Sequence, residues 1–214
     1  WVGKGVDYTP LSLSDSPDAD VLVIQPEMGR LVRLRGTDGQ VEWQADLGEF
    51  INQPVVLDED IIVTSQSGIV ACLDAESGQS KWLKRLPQST GVGPGASMGG
   101  QLLYQPADHS NVYILDRRDG SCKEVFYVGH REGSIQVPPV LVLGDLLLIE
   151  NINLETARIR VLSVDEKALK LAQPPIPVDG NVVLPPAVDG RQILVQSNLG
   201  NSIVLDVEPS SASQ

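Results

Sequence analysis

The chain is poor in aromatics, cysteine, histidine and positive charge, and each shortage closes off a class of function. Aromatic residues are 4% of its 214 positions, with three tryptophans among them. The two cysteines, Cys72 and Cys122, have no second Cys and no His at ligand spacing, which argues against a disulfide framework or a Cys-based metal site. Each stands in an apolar-alternating segment, where a free thiol is expected to be buried as a small hydrophobe. Lys and Arg number 16 against 28 acidic residues, a net charge of −12 whose field repels a phosphate backbone and speaks against nucleic acid as a partner. The longest apolar stretch, "VPPVLVLGDLLLI" from Val137 to Ile149, is broken by two prolines, Gly144 and Asp145, and is shorter than the roughly 20 residues of a membrane-spanning helix. No leader pattern opens the chain at Trp1, as expected of a mature or cytoplasmic form. Helical periodicity is missing as well. Even "NINLETARIRVLSVDEKALKLA", the one stretch with good helix formers, alternates like a strand through Ile159, Val161 and Ser163.

What the chain does have is a repeat. Residues 54 to 82, "PVVLDEDIIVTSQSGIVACLDAESGQSKW", serve as a template that finds four further copies. The position held by Asp74 is taken by Arg35, Asp116, Ser163 and Asp206 in the others, at spacings of 39, 42, 47 and 43 residues. A period near 40 predicts four short strands per repeat, bounded by Gly, Pro, Asn and Asp turns. Strand openings fall at Pro10, Pro54, Pro139 and Pro186. The repeats span approximately 10–53, 54–94, 95–137, 138–184 and 185–207, the last with residues 1–9. The expected fold is therefore all-β, a β-propeller of about five four-stranded antiparallel blades in one domain over 1–208, followed by a disordered tail, 209–214. Radial repetition protects sheet edges that a linear stack would leave bare. The fifth repeat lacks a fourth strand, which the N-terminal "WVGKGV" could supply to close a five-bladed ring; a larger ring of seven or eight blades is the rival reading.

Within the template, "CLDAESGQSKW" resembles the tryptophan-docking motif A-x-D-x-x-T-G-x-x-x-W of pyrroloquinoline-quinone-like, or quinoprotein-type, β-propellers. Asp74, Gly78 and Trp82 match it, Ser77 stands for Thr, and Cys72 replaces Ala. Gly39 and Trp43 remain of it in the first repeat, Asp116 and Gly120 in the third, and Asp206 in the fifth; Glu124 stands at the Trp position of the third. Trp1 occupies the docking position of a preceding repeat. The glycine suits a turn that needs positive φ, the aspartate can accept from turn amides, and the indole buries a large surface while its N–H finds an acceptor. These residues are read as structural.

Candidate chemistry is thin. Quinone dehydrogenases of similar scaffold carry a vicinal Cys pair and Ca²⁺ ligands that are missing here, so a dehydrogenase remnant is the least favoured reading, and no cofactor is expected. "SDSPDAD", with Asp15, Asp18 and Asp20, lacks the Gly and Glu of a Ca²⁺ loop and reads as a solvated turn. "STGVGPGASMGG", holding Gly91, Gly93, Gly95, Gly99 and Gly100, lacks the Lys of a phosphate loop and reads as a flexible connection. His109 and His130 lie in loops that a propeller places on one face, where Asp108, Arg131 and Glu132 could join them in a polar mouth, without a nucleophile context for catalysis. The favoured expectation is a non-enzymatic protein- or peptide-binding module, with Asp108, His109, His130 and Arg131 as candidate contacts. The family resemblance implies periplasmic assembly factors or sensor portions of membrane kinases, hence an extracytoplasmic location. The alternative is a small-molecule- or carbohydrate-binding or hydrolysing five-bladed propeller working in its central channel, which would need paired carboxylates from residues such as Asp58, Asp145 or Asp189.

Overall fold

A computed structural model describes residues 9–13, 18–97, 99–165 and 168–208. Trp1, Asp15, the N-terminal segment 1–8 and the tail 209–214 lie outside the described residues. Among those described, the chain forms twenty strands and one short 3₁₀ turn, Pro26–Met28, in five antiparallel sheets. It divides into two compact units, Trp1–Ser89 and Thr90–Gln214.

The first unit holds two four-stranded meanders. Sheet one runs β1 (Thr9–Ser12), β2 (Val21–Gln25), β3 (Arg30–Leu34), β4 (Val41–Asp46); sheet two runs β5 (Val55–Leu57), β6 (Asp60–Thr64), β7 (Ile69–Asp74), β8 (Ser80–Arg85). Leu22, Ile24, Leu31 and Trp43 of the first sheet pack with Ile61, Val63 and Leu73 of the second.

The second unit holds three sheets. Sheet three is β9 (Gly95–Ala96), β10 (Leu102–Ala107), β11 (Asn111–Asp116) and β12 (Cys122–Tyr127). Sheet four is β13 (Val140–Val142), β14 (Asp145–Asn151), β15 (Thr156–Asp165), β16 (Ala168–Leu171) and β17 (Ile176–Asp179). Sheet five has three strands among the described residues, β18 (Ala187–Asp189), β19 (Gln192–Gln196) and β20 (Ser202–Asp206). Strand β14 shows why the sequence carries apolar runs instead of clean alternation. Leu146 and Leu148 join the core shared with sheet three, while Leu147 and Ile149 join the core shared with sheet five, so both faces of the strand are buried.

Four of the five aligned positions share one register, while Arg35 follows the end of β3 at Leu34, which itself pairs with Val21. Asp74, Asp116, Ser163 and Asp206 each pair with the first residue of the second strand in their sheet, Asp60, Leu102, Asp145 and Gln192. Three local expectations are corrected. Cys122 is exposed, because β12 is an outer strand whose side chains mostly meet solvent, whereas Cys72 on inner β7 is buried; neither is in a disulfide. Part of the glycine-rich connection is the inner strand β9. Gly95 is buried there against the Pro139 carbonyl, which an added Cβ would approach to 2.3 Å, so the glycine serves close approach. Finally, the outer position of sheet four is split. Strand β16 pairs with Leu162–Asp165 and β17 with Thr156–Ile159 of the same long strand β15, and the "QPP" between them cannot continue the ladder.

Candidate protein-docking face

The tryptophan motif builds joints within the first unit. Asp74 Oδ1 accepts from the Ser77 amide and hydroxyl, both at 2.8 Å, and Lys81 lies 3.2 Å from its other oxygen. These donors, the Ser77 hydroxyl foremost, lower its pKa to about 2. The turn they pin places Gly78 at φ +70°, directly under the ring of Trp43 on sheet one. Trp43 Nε1 donates to Ala75 O at 3.0 Å, and Trp43 and Trp82 are both 8% exposed. Gly39 and Gly120 stand at equivalent turns with φ of +71° and +67°. Asp116 is held well below the ordinary carboxylate range by the Arg118 side chain and amide, with Lys123 alongside. Asp206 pairs with Arg191 at 3.1 Å. A Trp43→Phe variant, which keeps most of the ring and loses the indole donor, is expected to lower unfolding free energy by about 1–2 kcal/mol in a urea titration.

The candidate contacts Asp108, His109, His130 and Arg131 all belong to one end of the second unit, the end carrying the hairpins between second and third strands. His109 is exposed and Asp108 half-buried in the β10–β11 turn. Arg131 is exposed in the connection from β12 to β13, and its guanidinium donates to Ile152 O. His130 is turned inward: it is 2% exposed, its ring nitrogens lie 3.2 and 3.5 Å from the carbonyls of Arg131 and Asn111, and its own carbonyl accepts from Ser110 Oγ at 2.6 Å. His130 therefore shapes the connection, and His109 and Arg131 are the members of the set displayed at the surface.

A buried ionic cluster fixes this end. Glu150 on β14 is fully buried; its Oε2 receives Arg158 at 2.6 Å and Arg160 at 3.0 Å, and its Oε1 receives the Arg131 amide at 3.1 Å. Arg160 also donates to Val128 O at 2.6 Å and Gly129 O at 3.2 Å, tying the connection to the sheet. Burial opposes the charge on Glu150, but hydrogen bonds from Arg158 and the Arg131 amide, with the charge of Arg160, hold its pKa below the usual value. Sequence reading missed this cluster because its members stand eight and ten residues apart on adjacent strands, a proximity that only register creates.

Large aliphatic side chains are exposed at the same end. Leu154 at the β14–β15 hairpin is 86% exposed, and Leu199 at the β19–β20 hairpin is 62% exposed. The connection between them presents Val183 and Leu184, at 51% and 62%. Gly180 joins these loops: its amide donates to Glu155 O, and an added Cβ there would come within 2.8 Å of the Ser197 and Asn198 side chains and 2.9 Å of Leu199. Asn151 clamps the Val182 backbone on both sides, at 2.9 and 3.0 Å, so the next two side chains are held outward. A cleft of about 190 Å³ opens between Val183, Leu184 and the β19–β20 hairpin, with the buried Ser197 beneath. Among the described residues no group of His, Cys, Asp and Glu is arranged to hold a metal ion, and Asp58, Asp145 and Asp189 stand at turns of three different sheets. A signal for the apolar face was present in the sequence: a large aliphatic at the centre of each polar turn, "NLE" and "NLG".

Comparison with known proteins agrees with this architecture. Residues 8–211 match the PQQ-like family model described as outer membrane protein assembly factor BamB. A BamB of Alkalilimnicola ehrlichii is 26% identical over 191 residues, covering 79% of this chain and 47% of that protein. A BamB of Shewanella oneidensis is 29% identical over 145 residues, covering 62% of this chain and 36% of that protein. The chain thus spans about half the length, or less, of these curated relatives. In fold, it resembles the crystal structure of BamB from Moraxella catarrhalis, with TM-score 0.66 at 16% identity over 94% of this chain and 63% of that one. It also resembles hydrazine synthase of Kuenenia stuttgartiensis, with TM-score 0.68 at 12% identity over 90% of this chain and 61% of that one. The match over nearly its whole length shows that the chain belongs to the PQQ-like repeat family of the outer membrane protein assembly factor BamB.

Proposed function

We propose that this chain is a non-enzymatic, protein-binding portion of an outer membrane protein assembly factor, working outside the cytoplasm and engaging its partner through the hairpin end of the second unit. The observation that carries this reading is that Leu154, Val183, Leu184 and Leu199 are four exposed aliphatic side chains on loops linked through Gly180 and Asn151. Exposed apolar patches with polar rims are characteristic of interaction sites, and His109, Arg131, Asp108 and Glu155 supply such a rim. The names of the sequence relatives support the assembly role. The five sheets read as blades of one propeller domain over 1–208, the motif tryptophans as locks from one blade to the next. In a five-bladed ring residues 1–9 would complete sheet five; the greater length of the relatives supports the rival reading of a larger ring.

The test is a double substitution, Leu154→Glu with Leu199→Glu. Surface changes of this kind are expected to move stability by about 0.5 kcal/mol or less. Affinity for the outer membrane assembly machinery, measured by interferometry with purified components, is expected to fall about tenfold or more, as when apolar anchors are lost. Unchanged affinity at unchanged stability would remove this face from the account.

A further inference from the structure

The docking register can be followed from sheet to sheet. The outer-strand residue opposite the third-strand position is Trp43 facing Arg33 in sheet one, Trp82 facing Cys72 in sheet two and Glu124 facing Ile114 in sheet three. In sheet four it is Ala172, whose amide donates to Val161 O at 2.9 Å. The receiving side is equally conserved within the chain. Ala75, which accepts the Trp43 indole, donates its amide to Glu59 O at 2.9 Å, and Val207 makes the same bond to Arg191 O at 3.0 Å at the same register of sheet five. Between sheets four and five, then, a methyl group stands where an indole fills the joint of sheets one and two. A cleft of about 380 Å³ opens there. Leu147, Val161 and Leu205 give it apolar walls, Asp145, Asp206 and Glu208 bring carboxylates to its lining, and no Lys or Arg is among its lining residues.

We propose that this cleft is a binding site for a tryptophan side chain that a partner protein carries in a basic segment. An indole offers the apolar body and N–H donor that Trp43 brings to the equivalent joint, where the acceptor is the Ala75 carbonyl and here would be that of Val207. Lysine or arginine beside it would meet the carboxylates, one of which, Asp206, already holds Arg191 at 3.1 Å. The site lies at the opposite strand ends from Leu154 and Leu199, since Asp145 begins β14 and Asp206 ends β20. It goes beyond the hairpin-face reading and stands or falls separately from it.

The experiment is a titration of the ¹⁵N-labelled 214-residue chain with the amidated peptide Lys-Trp-Lys, followed by amide shifts, with Lys-Ala-Lys and free indole as comparisons. The proposal expects shifts centred on Val161, Ala172 and Val207, and affinity about tenfold above that of either comparison. It also expects Ala172→Trp, which fills the cleft from within, to raise the melting temperature and abolish these shifts. Ala172→Leu, a smaller filler, should weaken binding if the larger ring is not accommodated. Equal binding of Lys-Ala-Lys would reduce the site to general acidity, and equal binding of indole would make it a small-molecule pocket. Shifts that track protein concentration without peptide would mean a second copy fills it. Any of these, or an absence of shifts in the unsubstituted chain, overturns the proposal.

Discussion

Replacing Gly78 with valine is expected to lower the unfolding free energy by about 2–5 kcal/mol, the sum of two separable costs. Gly78 sits at φ +70°, a left-handed conformation that costs a side-chain-bearing residue about 1–2 kcal/mol. An added Cβ would also come within 2.6 Å of Trp43 Cδ2 and 2.7 Å of its Cε3. The ring cannot retreat freely, because its indole is hydrogen-bonded to Ala75 O and its far side is in the core with Leu22, Ile24 and Ile61. Overpacking of this kind adds about 1–3 kcal/mol. Gly190→Val isolates the first cost: Gly190 has φ +59° with no described atom within 4 Å of an added Cβ. Guanidinium titrations of the two variants should differ by the ring contact alone. Equal losses would mean that the turn, and not the joint, is what Gly78 serves.

Loss of Glu150 should be comparably severe. Glu150→Ala leaves Arg160, only 14% exposed at the side chain, without its carboxylate, while Arg158 at 35% can turn partly to water. Breaking a buried pair costs about 3–5 kcal/mol, and the freedom of Arg158 places the expected loss near about 3. Glu150→Gln keeps the shape and some of the hydrogen bonds, so it should fall between. The same site makes stability depend on pH. Its carboxyl titrates lower in the folded chain than the unfolded value of about 4.3, so the unfolded state takes up the proton first. The contribution is therefore complete above about pH 4.3 and is lost as pH falls through the folded pKa. Asp20, Asp46, Glu49 and Asp74 also titrate low in the folded chain, so acid weakens both proteins. The difference between wild type and Glu150→Gln, measured by urea midpoint from pH 6 to pH 3, should narrow over that window; a constant difference would contradict the charge assignment.

The sequence carried the repeat well because the third strand of sheets two, three and five ends opposite the first residue of the second, and Asp74, Asp116 and Asp206 mark that point with the same residue. Ser163 could be aligned there although it shares none of the chemistry, since its pairing with Asp145 preserves the geometry. Less legible was anything set by the outer strands. Nothing local says that β12 turns Cys122 to solvent while β7 buries Cys72. Nor does "LAQPPIPV" announce that one outer position is shared by two strands with Ala172 at the tryptophan place. The candidate face was half legible. His109 and Arg131 could be placed on loops of one end from the repeat, but His130 turned inward because Ser110 and the Arg131 and Asn111 carbonyls offered it partners. Leu154 and Leu199 were passed over because an aliphatic residue in a polar turn is unremarkable until two such turns are found joined through Gly180.

The central claim, that the hairpin end of the second unit is where a partner protein docks, is tested most directly by site-specific photocrosslinking in cells. A photoreactive residue would be placed in turn at Leu154, Leu184 and Leu199, and at Asp189 and Gly190 on the opposite strand ends. The account predicts that the first three positions form adducts with a component of the outer membrane protein assembly machinery and the last two do not. Adducts confined to Asp189 and Gly190, or none at the leucine positions while the protein remains folded, would contradict it.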